Sequence, residues 1–293
     1  MTVHGSTSNL GPGFDAFGLA VDRRLELDLT EVDDAGDGGL TCEFVDGEPG
    51  GRNLIDVGYR AFAEATGARL PAARVEVRCT IPPRAGLGSS GAAIVAGLRL
   101  ASRLRPDVRA DLLSLGVRVE GHPDNVSAAL RGGFVLNARR ADDTFCSRTL
   151  PWPDGFGLVL ALPEVELDTR VSRSVLPASL PLADAVFNLQ HASLLVYAIG
   201  HADADALREA LRDRLHQPAR ERIVPGLSAM LALRHPNLIG AFLSGAGPAV
   251  IAVCDGATTE VEGVIRSTYA DAGVRARVEA IRVVQPGAVE NDG

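Results

Sequence analysis

The chain of 293 residues carries a formal net charge of −8, and all 29 residues counted as lysine plus arginine are arginines. A hydrophobic fraction of 46% with mixed charges is typical of a soluble globular protein, and the length favours two domains. Net negative charge without a basic stripe argues against nucleic-acid binding. The lack of lysine excludes Walker-type phosphate loops, protein-kinase sites and Schiff-base or pyridoxal-phosphate chemistry, all of which need a lysine amine.

Cysteine usage and hydropathy indicate a cellular compartment. The four cysteines are far apart and include no CxxC pair: Cys42, Cys79, Cys146 and Cys254. This pattern favours reduced thiols and a cytoplasmic location. No signal peptide precedes the first glycine-rich segment, and no apolar run approaches the ~18–20 residues that span a membrane, so we expect no membrane partner.

The first half of the chain alternates strand and helix patterns. A glycine-rich turn at Asn9–Asp15 is followed by a strand at 25–29, where leucines alternate with acids, and by an amphipathic helix at 53–65. We then expect a strand at 75–81, a helix after residue 89 and a shorter helix near 108–118. A further helix begins at Pro123, a residue suited to the first helical turn, and ends at Gly132-Gly133.

The second half follows the proline-rich patch Pro151-Trp152-Pro153, which is the best candidate for a domain boundary. We expect strands at 158–162, 238–243, 249–253 and 274–284, and helices near 181–200, 203–215 and 257–272. A third glycine-rich turn, Ser244–Pro248, separates two of these strands. The pattern predicts a mixed α+β fold with an N-terminal domain at 1–152 and a C-terminal domain at 153–293.

The segment Pro82–Ala93 joins a predicted strand to a predicted helix through two glycines and two serines, Gly86, Gly88, Ser89 and Ser90. Free N–H groups at a helix N-terminus carry about half a positive charge and form a natural seat for phosphate. Since the chain lacks lysine, a nucleotide site here would use backbone donors, serine hydroxyls, a metal ion and arginine.

Three glycine-rich segments, Asn9–Asp15, Gly86–Gly91 and Ser244–Pro248, occur in an order and spacing that resemble the three signature motifs of the GHMP small-molecule kinases. The resemblance covers residues 5–284. It implies an N-terminal ribosomal-S5-like α/β domain with the first two motifs, a C-terminal ferredoxin-like α+β domain with the third, and an active site between them. It also implies that ATP contacts Pro82, Gly86, Leu87, Gly88, Ser89, Ser90, Gly91, Gly245 and Gly247.

Within that family, Ser8–Asp15, Glu120–Val126 and His216–Arg220 are most similar to the members that phosphorylate homoserine. The resemblance therefore implies ATP-dependent phosphorylation of the side-chain hydroxyl of L-homoserine, giving O-phospho-L-homoserine on the route to threonine. Two alternatives stay open. One is another small-alcohol kinase of the family, of the mevalonate or shikimate type, and the other is a catalytically silent relative that binds nucleotide and an amino acid.

Homoserine offers a carboxylate, an ammonium and a primary alcohol. A carboxylate prefers planar paired donors, which arginine supplies. By resemblance, Arg173 and Arg220 bind the carboxylate, and Thr169 lies in the same substrate-binding segment as Arg173. Isolated arginines are also common as solvated surface charges, so that alternative stays open for both.

The resemblance assigns the ammonium to Asn9 and Asp15, and it places His122 and Asn125 at the substrate hydroxyl and the γ-phosphate. Asp15, His122 and Asn125 are thus the expected catalytic residues. Asp15 is expected to orient the substrate rather than to act as an obligatory base, because phosphoryl transfer depends mainly on positioning and charge neutralisation. The alternative for Asp15 is a helix cap.

Mg²⁺ is expected to bridge the β- and γ-phosphates, with a serine and a glutamate as protein ligands. Ser90 lies in the phosphate loop, and Glu120 is the nearest acid. Many relatives carry an acid a helical turn earlier, where this chain has Ser114 and Arg118. A homodimer is expected by analogy with the family.

Overall fold

The computed structural model describes residues 1–36, 38–45, 52–165, 167 and 170–288, together with the backbone of Thr169. Within these ranges the chain forms two β-sheets, one from each half of the sequence, and each sheet is covered by helices.

The first sheet has six strands: β1 (Thr2–Ser8), β2 (Phe17–Asp33), β3 (Leu40–Phe44), β4 (Ala72–Cys79), β5 (Phe134–Arg139) and β6 (Phe145–Leu150). The order is β3-β4-β2-β5-β6, and β1 pairs with β2. β3 and β4 pair in parallel, and the other pairs are antiparallel. The predicted strand at 25–29 is the middle of β2, where Leu25 and Leu27 are buried.

Four helices accompany this sheet: α1 (Leu54–Thr66), α2 (Ser89–Leu104), α3 (Leu112–Glu120) and α4 (Pro123–Arg131). Their ends follow from local chemistry. The Asn53 side chain caps α1, and Asp111 caps α3 by accepting from the Ser114 N–H, so α3 begins later than the predicted 108. Pro123 occupies the first turn of α4, as the sequence predicted.

α1 and α2 pack so closely that their backbones touch at two glycines. A Cβ added at Gly58 would lie 2.2 Å from the Ile94 carbonyl oxygen, and one at Gly97 would lie 1.9 Å from the Ile55 carbonyl oxygen. Both distances are far below van der Waals contact. Glycine at these positions therefore sets the separation of the two helices and, through it, the placement of the N-terminus of α2.

The second sheet has four antiparallel strands: β7 (Phe156–Pro163), β8 (Leu238–Leu243), β9 (Val250–Asp255) and β10 (Ala276–Ile281). The order is β10-β7-β9-β8. Since the strands appear as fourth, first, third and second in the chain, this is the ferredoxin-like arrangement that the family resemblance implied. The first sheet ends at Leu150 and the second begins at Phe156, which supports our proposal of a domain boundary between residues 152 and 153.

Six helices belong to the second half: α5 (Thr169–Ser174), α6 (Leu182–His201), α7 (Ala204–Ala210), α8 (Gln217–Arg220), α9 (Leu227–Ala232) and α10 (Thr259–Asp271). The single helix predicted at 203–215 was wrong in its second part, because α7 ends at Ala210. The Asp213 carboxylate accepts the N–H groups of Leu215, His216 and Gln217 instead, so a new helix, α8, begins there.

α6 corrects the expectation that no apolar segment approaches membrane-spanning length. It is 20 residues long, and its most apolar stretch of 18 residues has a mean hydropathy of 1.2. Among the described helices it alone is long and apolar enough to cross a membrane, and 28% of that stretch is buried in the protein. Its buried face is polar in part: Asn188 Nδ2 donates to the Asp213 carboxylate at 2.6 Å, and His191 Nε2 lies 3.3 Å from Glu209 Oε1. These contacts attach α6 to the surrounding loops and to α7.

The end of the chain returns from the second sheet to the first. Val283 forms an isolated bridge with Val21 of β2, and the backbone N–H of Arg282 donates to the Asp22 carboxylate at 3.1 Å. Arg23 also lies 2.9 Å from the Glu279 carboxylate on β10. The two sheets are therefore connected at this edge as well as by the 151–155 segment.

Gly97→Ala should destabilise the protein, because its methyl group would force α1 and α2 apart, at a cost of ~1–3 kcal/mol. Thermal or denaturant unfolding measures the loss. Gly263→Ala in the middle of α10 is the matched control: a Cβ there meets nothing within 4 Å, so better helix propensity should stabilise it by ~0.5–1 kcal/mol. Equal effects of the two substitutions would contradict the packing argument.

Candidate active site

The three glycine-rich segments are distant in sequence but touch one another in the structure. Ser244 Oγ donates to the Gly86 carbonyl oxygen at 2.6 Å, and the Gly245 N–H donates to the Ser8 carbonyl oxygen at 3.2 Å. Asn9 Nδ2 donates to the Gly245 carbonyl oxygen at 3.0 Å. A Cβ at Gly86 would lie 2.3 Å from the Ser244 carbonyl oxygen, so glycine is needed for this approach.

These contacts border a cavity of about 490 Å³ that draws its walls from both halves of the chain. Its volume falls within the range of small-molecule sites. The expected site residues that line it are Asn9, Asp15, Gly86, Leu87, Gly88, Ser89, Ser90, Glu120, His122, Asn125, Arg173, Arg220 and Gly245.

One wall of the cavity is the N-terminus of α2. Gly88 adopts a left-handed conformation (φ 67°), and no side chain caps the helix. The Ala92 N–H donates to the Gly88 carbonyl oxygen, whereas the N–H groups of Ser89, Ser90 and Gly91 meet no acceptor among the described residues. Unpaired donors at the positive end of a helix are suited to hold an anion such as phosphate.

Beside this wall, Ser90 Oγ lies 2.5 Å from Glu120 Oε1. Glu120 is the last residue of α3, and its side chain is nearly buried. Both residues were expected from the sequence to be metal ligands, and the structure shows that α2 and α3 bring them into contact. Hydroxyl and carboxylate oxygens are the donors that Mg²⁺ prefers, so the pair fits that ion.

Asp124 organises the start of α4. Its Oδ1 lies 2.6 Å from His122 Nδ1 and accepts the Asn125 N–H at 2.8 Å. Burial by itself would lower the pKa of His122, but the hydrogen bond and charge of Asp124, with Glu120 and Asp15, raise it. Burial would raise the pKa of Asp124, but His122, the Asn125 N–H and the Ser8 hydroxyl lower it, so the carboxylate is ionised in the interior.

The Asn125 side chain is fixed on both sides. Its Oδ1 accepts from Ser6 Oγ at 2.8 Å, and its Nδ2 donates to Ser8 Oγ at 3.3 Å. A Cβ at Gly88 would lie 2.9 Å from the same Oδ1, so the phosphate loop and α4 meet closely at this amide. Asn125 is therefore positioned against both β1 and the loop.

The turn Asn9–Asp15 contains three non-glycine residues in the left-handed region: Asn9 (φ 71°), Leu10 (φ 44°) and Asp15 (φ 55°). Each such residue stores on the order of 1–3 kcal/mol of strain, and such residues cluster at ligand sites. The Asp15 carboxylate lies against Arg173 of α5, whose guanidinium donates two hydrogen bonds to it, at 2.7 and 3.2 Å.

Arg220 is fully buried in the cavity wall, and among the described residues it forms no ion pair with a carboxylate. Its Nη1 donates to the Gly245 carbonyl oxygen at 2.9 Å and to His216 Nδ1 at 3.0 Å, and its Nε donates to the Ser172 carbonyl oxygen at 3.3 Å. Burial, together with Arg173, lowers its pKa to about 10. It is thus still a cation at neutral pH, and it faces the cavity without an acidic partner.

The GHMP kinase N-terminal domain family matches residues 53–133, and the GHMP kinase C-terminal family matches residues 195–271. A homoserine kinase from Moorella thermoacetica is 37% identical, with 98% of each chain covered. One from Thermus thermophilus is 40% identical over 86% of this chain and 85% of its own. The chain belongs to the homoserine kinase family of GHMP kinases.

Solved structures agree with this membership. The crystal structure of homoserine kinase from Cytophaga hutchinsonii matches with a TM-score of 0.83 at 25% identity, over 98% of this chain and 95% of that chain. Mevalonate kinase from L. major, in complex with R-mevalonate, matches with a TM-score of 0.72 at 16% identity, over 98% and 95% of the two chains, and so shares the fold. The predicted two-part GHMP kinase fold is confirmed. Family membership also implies a kinase that uses ATP on a small molecule.

Not every residue expected at this GHMP kinase site lies on the cavity wall. Pro83 lines it in place of Pro82. Gly91 packs under the loop, where a Cβ would lie 3.1 Å from Asn125 Cβ, and Gly247 packs against Leu243 and Val224. The side chain of Thr169 falls outside the described part of the chain.

Two features of the site were missed from sequence. Asp124 lines the cavity and was passed over between His122 and Asn125, although an acid directly after a proline at a helix start was a visible signal. The second is the apolar end of the cavity, formed by Phe44, Leu54, Val77, Cys79 and Ile81. Phe44 ends β3, Leu54 begins α1, and the other three residues lie on or just after β4, so only the fold brings the five side chains together.

His122→Gln should reduce stability more at pH 6 than at pH 9. A histidine whose folded-state pKa is raised stabilises the fold fully below its unfolded value of about 6.5, and the contribution is lost as pH rises through the folded pKa. Thermal unfolding of wild type and variant across this range measures the gap. His201→Gln, on the exposed end of α6, is the control. A stability difference between wild type and variant that widens toward pH 9 would contradict a raised pKa of His122.

Proposed function

We propose that this GHMP kinase transfers the γ-phosphoryl group of ATP to the side-chain hydroxyl of L-homoserine, on the route to threonine. The homoserine oxygen bonds to the γ-phosphorus, the bond to the ADP oxygen breaks, and the hydroxyl proton is released. The observation that carries the proposal is the buried Arg220 without an acidic partner, set beside the Asp15–Arg173 ion pair. The homoserine kinase relatives over the full chain support it.

The substrate end is complementary to a zwitterion. Asp15 and the Asn9 side chain suit an ammonium, whereas Arg173 and Arg220 suit a carboxylate. In the present structure Asp15 and Arg173 satisfy each other. An amino acid supplies one ion of each sign, so on binding Asp15 exchanges Arg173 for the ammonium and Arg173 exchanges Asp15 for the carboxylate, and neither side chain is left without a counterion. This favours an α-amino acid over mevalonate, which has no ammonium, and over neutral alcohols.

The nucleotide phosphates would lie on the free N–H groups of Ser89 and Ser90, which line the cavity. Ser90 and Glu120 would hold Mg²⁺, and their contact at 2.5 Å supports this choice. When bound, the metal neutralises charge on the β- and γ-phosphates. The apolar side chains of Phe44, Leu54 and Ile81 suit the adenine ring, because they line the same cavity as the phosphate loop.

The transferring group would pass between the loop and the start of α4. Phosphoryl transfer has a loose transition state with charge on the equatorial oxygens, so positioned donors matter more than a strong base. Asp124 and Glu120 raise the pKa of His122, so its protonated form would supply positive charge there, and Asn125 would fix the hydroxyl. Asp15 orients the substrate through its ammonium.

We also propose a cytoplasmic homodimer. The four cysteines, all within the described ranges, form no disulfide, which supports a reducing compartment. Leu182, Leu189 and Tyr197 are exposed apolar residues of α6, and they support a self-association surface. Sedimentation at several concentrations tests the dimer.

Release of ADP should be fast with homoserine and slow with mevalonate, shikimate or galactose. EDTA should abolish turnover, and Mg²⁺ should restore it. A preference for any other acceptor would overturn the proposed substrate. Nucleotide binding by folded protein without ADP release would identify a binding protein instead of an enzyme.

Arg220→Ala should lower kcat/KM for homoserine by ~10²-fold or more, since each lost charge-assisted bond contributes ~1.5–3 kcal/mol. The KM for ATP should hold. Steady-state kinetics with each substrate varied in turn measures both. Arg277→Ala, on an exposed side chain of β10, is the matched control. Equal losses for the two substrates would make Arg220 a structural residue.

A further inference from the structure

Arg220 is held with three of its five N–H donors already used. Nε donates to the Ser172 carbonyl oxygen, and the two hydrogens of Nη1 go to the Gly245 carbonyl oxygen and to His216 Nδ1. Nη2 donates to no acceptor among the described residues. The guanidinium therefore has one fixed orientation and one nitrogen left for a ligand.

His216 is fully buried, and its protonation follows from its two partners. A guanidinium has no acceptor, so Nδ1, which lies 3.0 Å from Arg220 Nη1, must carry no proton. Nε2 must then carry one, and it donates to the Gly11 carbonyl oxygen at 2.8 Å. Burial and the Arg220 charge lower the pKa of His216, in keeping with a neutral ring.

The ring is itself rigidly supported. Asp213, whose side chain is buried, accepts a hydrogen bond from the backbone N–H of His216 at 2.9 Å and fixes the start of α8. The Phe14 ring packs against the imidazole, with its centroid 5.4 Å from that of His216. Gly11, the other partner of His216, lies in the strained turn that carries Asn9 and Asp15.

We propose that His216 is a positioning residue that sets the carboxylate subsite against the ammonium subsite. Its Nδ1 holds Arg220 so that Nη2 faces the substrate carboxylate, and its Nε2–H holds the turn that presents Asp15. An α-amino acid carries both charges on one carbon, so their recognition requires a fixed spacing between Arg220 and Asp15. The proposal rests on the proposed function and extends it to a residue that does not touch the substrate.

Two variants separate the halves of the ring. His216→Asn places an oxygen near the position of Nδ1 and can still accept from Arg220. His216→Gln places an amide near the position of Nε2 and can still donate to Gly11, but it leaves Arg220 without its acceptor. His191→Gln, the same change at a buried histidine on α6 outside the cavity, is the matched control.

The readout is the ratio of kcat/KM for homoserine to kcat/KM for 3-aminopropan-1-ol, which is homoserine without its carboxylate. The ratio does not depend on the fraction of folded enzyme, so a loss of stability alone leaves it unchanged. We expect His216→Gln to lower it at least ~10-fold, with the KM for ATP within ~3-fold of wild type. His216→Asn should keep the ratio within ~3-fold of wild type but lower kcat/KM for both compounds, because both carry the ammonium and the turn that presents Asp15 loses its hydrogen bond to the ring. His191→Gln should match wild type.

An unchanged ratio in His216→Gln, or equal losses in the Gln and Asn variants, would overturn the positioning role. So would a parallel rise in the KM for ATP. If wild type itself fails to phosphorylate homoserine, or does not prefer it to 3-aminopropan-1-ol, the proposed function fails instead. The two failures are thus distinguishable in one set of assays.

Discussion

The cavity depends on glycines that let segments from distant parts of the chain approach one another more closely than a residue with a side chain would allow. Gly86 lies against Ser244, and Gly88 lies against Ser6 and Asn125. Gly11 does the same, since a Cβ there would lie 2.3 Å from the Leu211 carbonyl oxygen. A methyl group at any of these points would separate the walls, and the loop amides, the α4 amide and the buried arginine would no longer face one space.

Charge at the site is arranged around arginine alone. A lysine ammonium can rotate its donors and is strongly hydrated. A guanidinium presents a planar set of donors, so neighbouring acceptors can hold some of its N–H groups while the others stay available to a ligand. Arg220 shows this division, with its Nε and Nη1 occupied by neutral acceptors. Arg173 is partly exposed and is paired with Asp15, so the two arginines offer a carboxylate one rigid and one exchangeable partner.

Local patterns predicted what local chemistry determines. The turn at Gly86–Gly91 and the start of α2 were predicted from those residues, and α4 was predicted from Pro123, because caps and turns act over a few residues. β3, β5 and β6 were not predicted, since short strands such as Leu40–Phe44 depend on partners elsewhere in the chain. The break after Ala210 depended on Asp213, an acid that looks like any other until its burial is known.

The candidate site shows the same difference between features that short sequence motifs reveal and features that depend on the fold. Motif resemblance nominated Arg220, but only the fold shows that its neighbours are carbonyl groups and an imidazole. Asp124 was missed because its importance comes from the enclosure of its carboxylate by His122, Asn125 and Ser8. The apolar end at Phe44 and Ile81 arises from strand pairing, which no single stretch of sequence contains.

The return of the chain end to β2 has a bearing on how ligands enter and leave. The Val21–Val283 bridge and the Arg23–Glu279 pair lie on the same side as the covalent connection, because Gln285 exchanges two hydrogen bonds with Trp152 in the segment that joins the two halves. Two stretches of chain therefore cross between the sheets side by side, and a paired crossing restrains rotation of one sheet against the other more than a single linker does. At the cavity, Arg173 and Asp15 are partly exposed, so we expect an entering ligand to separate this ion pair before it reaches the buried Arg220.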